Sequence, residues 1–438
     1  MSDRADVVVL GAGIVGVSAA LHLQERGRDV VLVERAPKAG MGTSYGNAGL
    51  IERSSIYPYA FPRDLASLAR YALNRTTDAH YHASALPGLA PFLVRYWFNS
   101  SPKGVERIAR SARPLIERSL AEHERLMAAS GSTGLMRKVG WIKGFRTPRS
   151  FDKGLRDAER LRGFALEIDT LDAAGLAERE PHLAAGMIGA LHFRDPGAVS
   201  DPGGLVERYN ALFLQRGGRF MKGDAATLEE QAPGWRVKTR DGWLQARDAV
   251  VALGPWSDLV YRKLGYRLPF GIKRGYHLHF RARGNAVLNH PVLDADGGYL
   301  LAPMDRGIRL TTGAEFARRE APMTPVQMER AIPKARGLFP LAEPLEDMPW
   351  MGSRPCLPDM LPVIGRAPKH QGLWLDFGHQ HHGLTLGPVS GRLLAEMMTG
   401  ETPFTDPAPY RMERFGWHGP DNLTVSEAAG AGTAPARQ

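Results

Sequence analysis

Val7-Val8-Val9-Leu10-Gly11-Ala12-Gly13-Ile14-Val15-Gly16, followed by Val30-Val31-Leu32-Val33-Glu34, is the stretch that decides the fold. Four consecutive apolar residues running straight into glycine read as a parallel strand buried on both faces. The G-x-G-x-x-G spacing then opens a helix, predicted from about Ile14 to Arg26 and stopped by Gly27. Gly11 allows the tight turn, Gly13 lets backbone N–H groups approach a pyrophosphate, and Gly16 lets the helix lie close on its strand. The N-terminus of that helix, with Ala12, Ile14 and Val15, would face the phosphates. Glu34, followed by Arg35, is placed to accept hydrogen bonds from a ribose. The alternative is a glycine-rich turn with no ligand, but strand, helix and acid in register favour a dinucleotide site.

Beyond Glu34, the small and hydroxylated residues from Gly40 to Leu50 form a loop able to wrap a cofactor, with Thr43, Ser44, Asn47, Ala48, Gly49 and Leu50 as its candidate contacts. The pattern returns later. Trp235–Val237 and Leu244–Ala246 flank an Asp241-Gly242 hairpin signal, and 249–253 is a strand ending at Gly254, with Trp256 just beyond. Residues 372–377 form one more strand, running into Gly378-His379-Gln380-His381-His382-Gly383. A helix follows through Leu384 and Thr385, with Pro388 near its start and Gly400 as its stop. Helices are also predicted over about 105–128, 151–163 and 203–216, and extended segments over 135–145 and 187–193. The nucleotide domain is therefore expected to be assembled from 1–55, 198–262 and 350–416. A second, strand-rich unit would comprise 56–197 and 263–349, and a disordered tail would occupy 417–438. A fingerprint at one end of the chain, completed by a glycine loop and helix at the other, suits an extended two-headed cofactor better than nicotinamide alone. A helix N-terminus aimed at a flavin would favour the charge it gains on reduction.

The 438 residues suit two domains, and the 43% hydrophobic and 23% charged content is that of an ordinary globular protein. A single cysteine, Cys356, excludes an internal disulfide and reads as a free, buried thiol. Six residues precede Val7, so no cleaved targeting segment is expected, and no apolar run is long enough to span a bilayer. The reading is cytoplasmic, with the inner face of the membrane allowed. From Lys103 to Arg162 there are fifteen Lys or Arg against seven Asp or Glu, which accounts for most of the net charge of +10. Water, anionic lipid and nucleic acid are the three partners such a region could face. Pro91–Phe98 upstream mixes aromatic bulk with a cation, as interfacial segments do. No nucleic-acid motif accompanies the charge, so nucleic acid is not expected, and a tRNA-acting flavoprotein is a remote alternative.

Taken together, Gly42-Thr43-Ser44 with Asn47-Ala48-Gly49, Lys273-Arg274-Gly275-Tyr276, Asp305-Arg306-Gly307-Ile308-Arg309, Gly352-Ser353-Arg354-Pro355 with Pro362-Val363-Ile364-Gly365, and Gly378-His379 with Gly383-Leu384-Thr385 carry a resemblance. The chain resembles, nearly end to end, the FAD-dependent oxidoreductases of the D-amino acid oxidase and glycine oxidase superfamily, nearest to bacterial D-amino acid dehydrogenases. The resemblance implies an α/β fold: a discontinuous Rossmann-like FAD-binding domain plus a mixed-sheet α+β substrate domain. It implies oxidative deamination of an amino acid by hydride transfer from Cα to flavin N5, giving an imine and then a 2-oxo acid and ammonia. Arg354 would grip the substrate carboxylate, Tyr299 would stand at the substrate mouth, and Ala226 would touch adenine through its backbone. His379 is the acid–base candidate. The loop spacing of His379, His381 and His382 does not suit a metal, and none is expected. Gln380, His381 and His382 depart from the smaller residues of similar enzymes, which leaves side-chain preference open. A secondary amine such as sarcosine, proline or hydroxyproline is the competing substrate, and quinone or oxygen the acceptor. Oligomeric state stays open.

Overall fold

The computed structural model describes residues 3–416, so the expectation for the tail lies outside the described residues. Strand Asp3–Leu10 lies between two parallel neighbours, Val30–Glu34 and Gly242–Val251, with Val9 opposite both Leu32 and Val250. Val7 to Leu10 are fully buried, as a strand covered on both faces requires. The sheet continues through Arg219–Gln231 beside Val30–Glu34, and through Leu373–Phe377 and Val363–Arg366 beyond Gly242–Val251. Helices Ile14–Glu25 and Gly383–Thr399 pack together on one face. Glycine makes this approach possible, since a Cβ at Gly391 would lie 2.7 Å from the Ala19 nitrogen and one at Gly387 2.9 Å from Ile14.

The second sheet has eleven strands around the long Gly271–Ala282. That strand pairs antiparallel with Gly307–Thr312 and Ala314–Phe316 on one side and with Trp350–Cys356 on the other. Trp350–Cys356 was grouped with the first unit by sequence, but its register, Gly271 opposite Cys356 through His277 opposite Trp350, makes it part of the second sheet. This is how Arg354 comes to face the cavity between the sheets.

Helices Pro102–Ala129 and Pro148–Arg162 each begin three residues earlier than their apolar periodicity predicts. Ser101 and Thr147 cap them and proline takes the first helical position, a start signal that outranks periodicity. The stretch 135–145 is interrupted at Gly140, where φ is +66°, leaving Met136–Arg137 and Trp141–Phe145 as separate strands. The hairpin turns at Arg240-Asp241, one position before the expected pair, with Thr239 opposite Gly242.

Candidate active site

A cavity of about 1280 Å³ runs from the first glycine turn to the face of the second sheet. At one end lie Gly11, Ala12, Gly13, Ile14 and Val15, with Glu34 and Arg35 beside them. Glu34 accepts from the Ala12 amide at 2.9 Å and from the Arg35 amide at 2.9 Å, so its carboxylate braces the turn as well as bordering the cavity. Arg35 lies 4.1 Å over the ring of Trp256, and Gly254 and Ala226 complete this end. The Ala226 amide bonds the Asp224 carboxylate at 3.0 Å and its carbonyl accepts from Lys263 at 3.0 Å.

In the middle, the early loop meets the late one. Thr43 donates to the Ser353 carbonyl at 2.7 Å, and Ser44 accepts from the Ile14 amide at 3.0 Å. Asn47 folds back to accept from Gly49 at 2.9 Å. Ala48, Leu50, Gly383, Leu384 and Thr385 also border the cavity. Gly16, Gly49 and Gly378, named with the candidate cofactor residues, do not themselves border the cavity, and for Gly16 this agrees with its expected packing of helix on strand. Their task is close approach, because a Cβ would fall 1.9 Å from the Gly11 carbonyl oxygen, 2.2 Å from that of Val199 and 2.5 Å from Leu357 respectively. Gly49 and Gly378 also hold φ values of +82° and +86°, which favour glycine.

At the far end lie Arg354, Tyr299 and His379. Among the described residues Arg354 donates only to backbone, to the carbonyls of Arg274 at 3.1 Å and Gly313 at 3.2 Å. It rests over Gly275, where a Cβ would lie 2.5 Å from the guanidinium. Tyr299 is buried, and burial and the neighbouring Asp294 carboxylate push its pKa up. His379 turns Nε2 to Ser390 at 3.1 Å and to Asp376 at 3.4 Å. Burial raises the pKa of Asp376. His381 and His382 are held neutral: burial, then Arg354 and Lys273, take His381 well below its ordinary value, and burial takes His382 to about 4. Among the described residues the grouping with metal-like spacing is elsewhere, at His80, His82 and Glu315. Glu315 is already committed to Arg274 at 2.6 Å and Tyr276 at 2.9 Å. Cys356 is free and fully buried.

Two groups here escaped the sequence reading. Glu52, raised to about 7 by burial, borders the cavity 3.8 Å from His382. Lys273 borders it from the strand facing Arg354. Glu52 lies two residues beyond the glycine-rich loop and Lys273 opens a quoted motif without a role assigned to it, and only the strand register places Lys273 opposite Arg354.

Residues 6–397 match the family of FAD-dependent oxidoreductases designated DAO. The chain belongs to this family. It is 31% identical over 433 residues to a D-amino acid dehydrogenase of Cereibacter sphaeroides, covering 93% of this chain and 95% of that protein. A D-amino-acid oxidase of Bradyrhizobium diazoefficiens is 27% identical over 424 residues, covering 95% of this chain and all of that one. Among solved structures, glycine oxidase from Geobacillus kaustophilus shares the fold with a TM-score of 0.73, covering 94% of this chain and 99% of that one at 23% identity.

FAD is the family's cofactor, and the cavity fits it. The first turns of the two long helices, at Ile14 and Gly383, both border the cavity, and neither has an N-cap side chain bonded to it. An elongated anionic dinucleotide is favoured by helix N-termini of this kind, with glycines where its phosphates approach the backbone.

Proposed function

We propose that this chain oxidises the Cα–N bond of an amino acid, D-configured as in the relatives' names, to an imine that water converts to a 2-oxo acid and ammonia. The observation that carries this reading is Arg354: a guanidinium bordering the cavity whose hydrogen bonds, among the described residues, go to two backbone carbonyls and to no carboxylate. A planar guanidinium with unused N–H groups binds a carboxylate through two parallel hydrogen bonds and fixes the Cα beside it. FAD, held by the 11–16 turn, Glu34, the 43–50 loop and the 383–385 helix start, supplies the two-electron acceptor when bound. The chain's own residues orient and deprotonate. Arg354 anchors the carboxylate, Tyr299 and His381 wall the reacting centre, and Glu52, with its pKa near 7, takes the ammonium proton on a carboxylate oxygen so that the amine reacts neutral. No nucleophile or metal is required for this chemistry.

Electrons then pass to a quinone at a membrane surface. Support comes from exposed Leu65, Leu73, Val94 and Phe98 lying among Arg63, Arg70 and Arg95. The helix Leu86–Asn99 is divided, however: Phe92 and Tyr96 are buried against Cys356 and only its other face is available. No helix among the described residues is long and apolar enough to cross a membrane. Anaerobic addition of D-, L- and N-alkyl amino acids to the FAD-loaded protein tests the reading. Bleaching of the flavin band by D-amino acids is expected; no bleaching by any amino acid overturns it, and faster bleaching by sarcosine or proline transfers it to secondary amines. Peroxide appearing at the rate of substrate loss would replace quinone with oxygen.

A further inference from the structure

Lys273 is 3% exposed, yet its ammonium has no ion pair or hydrogen bond to any described residue. It is held instead among aromatic faces, 4.1 Å from the Tyr96 ring centre, 5.4 Å from Phe316 and 5.9 Å from Phe92. Directly across the antiparallel pairing stands Arg354, likewise without a carboxylate partner. Opposed residues of neighbouring strands project from the same face with Cβ atoms about 4.5–5.5 Å apart, and like charges there repel. Lys273, Arg354 and His381 all border the same cavity.

The acids at this end do not cancel that charge. Asp78 is taken by Arg70 at 3.4 Å and Tyr71 at 2.6 Å, and Asp294 by Arg146 at 2.8 Å. Asp157 acts on Lys143, Asp376 lies 3.4 Å from His379, and Glu52, once it has given up its proton, is one negative charge against two cations. Aromatic faces offset only part of the loss of hydration of a buried ammonium, and among the described residues no carboxylate is paired with either Lys273 or Arg354. An anion bridging the two would pair with each.

We infer that Lys273 is a second carboxylate-binding point, and that the substrate is an amino acid carrying a second carboxylate, on its side chain or on a nitrogen substituent. This rests on the preceding reading, in which Arg354 takes the α-carboxylate and leaves Lys273 for the other. The aromatic box fixes the ammonium in place, so selectivity comes from position as well as charge.

The test uses FAD-loaded protein and near-isosteric pairs: D-glutamate against D-glutamine, D-aspartate against D-asparagine, and iminodiacetate against its monoamide. The acid of at least one pair is expected to reduce the flavin at least tenfold more efficiently than its neutral partner, and the pair that responds tells side-chain from N-linked carboxylate. Lys273→Met should lower that ratio tenfold or more. Equal rates, or a preference for the neutral partner in every pair, overturn the inference while leaving amino acid oxidation intact. Should no amino acid reduce the flavin, the proposed activity fails, and dianion binding still decides this point. Succinate should perturb the flavin spectrum of the unaltered protein at a concentration at least tenfold below propionate, and equal affinities overturn the inference without needing any variant to fold.

Discussion

Thr385 donates its hydroxyl to the carbonyl of Leu50 at 3.2 Å, and the same oxygen accepts the Glu52 amide at 3.1 Å. One side chain thus satisfies two backbone groups of a segment 335 residues away, and ties the start of the late helix to the end of the early loop. Both segments border the cavity. The bond is therefore a structural precondition of the site, whatever the substrate.

Thr385→Val keeps the shape and removes the hydroxyl. It leaves the Leu50 carbonyl and the Glu52 amide without their partner, a loss of about 1–3 kcal/mol. Denaturant unfolding should show a lower midpoint, and titration of the apoprotein with FAD a weaker affinity, while Thr385→Ser should restore both. Valine behaving like threonine in both measurements would remove the clasp from the account.

His123 holds the same helix from below. Proline at 388 has no N–H to give the carbonyl four residues back, and that carbonyl, of Leu384, accepts from His123 Nε2 at 2.7 Å. Nδ1 lies 3.0 Å from the Tyr209 hydroxyl. Burial lowers the pKa of His123 from 6.5 to about 4. The unfolded chain therefore takes up the proton first as the pH falls. Stability from this group is complete above pH 6.5 and is lost between 6.5 and 4, by up to about 3 kcal/mol. His123→Phe should be less stable at pH 7.5 by about 1–3 kcal/mol, since it strands the Leu384 carbonyl. It should also show a shallower acid limb, by close to one proton, in unfolding measured across that window.

Glu52 works in the opposite sense. Burial raises its pKa from 4.5 to about 7, so the folded chain keeps a proton that the unfolded chain has released. Its contribution is complete below pH 4.5 and is lost as the pH rises to 7, up to about 3 kcal/mol. Glu52→Gln should consequently match the parent near pH 4 and exceed it in stability at pH 8. If Glu52 takes the ammonium proton, kcat/KM should rise with pH through a midpoint near 7 in the parent, and the glutamine variant should lose that limb. A variant with the same pH profile would assign the proton to another group.

The nucleotide half of the molecule was legible because its rules are local. Val7 to Gly16 carries strand, turn and helix in consecutive residues, and burial confirms each assignment. The substrate half depends on which strands become neighbours, and a single sequence does not state that. Lys273 looks like the edge of a glycine motif until strand pairing places it opposite Arg354. Trp350 carries no signal of its own in the sequence, but it fills the space that Gly46 and Gly352 leave open. Of the glycines in the 40–50 loop, Gly40, Gly42 and Gly46 border the cavity, while Gly49 makes room for the Val199 carbonyl and Gly46 also for an indole. In each case the residue type announced a close approach without naming what approaches.

Gly46 offers the sharpest test of that distinction. A Cβ there would sit 1.7 Å from the Trp350 ring, and one at Gly352 2.2 Å from it. The indole is also stacked on His277 at 4.9 Å and cannot retreat without breaking that contact. Gly46→Ala should therefore destabilise the fold by about 1–3 kcal/mol through overpacking, and loosen the loop that borders the cavity. Trp350→Leu removes the far end of the ring, and in that background the same alanine should cost at least about 1 kcal/mol less, a coupling expected only of residues in contact. If instead the glycine were needed for backbone freedom, the alanine would be equally harmful with or without the indole. The φ at Gly46 is not among the positive values of this chain, so steric fit to Trp350 is the cause that remains.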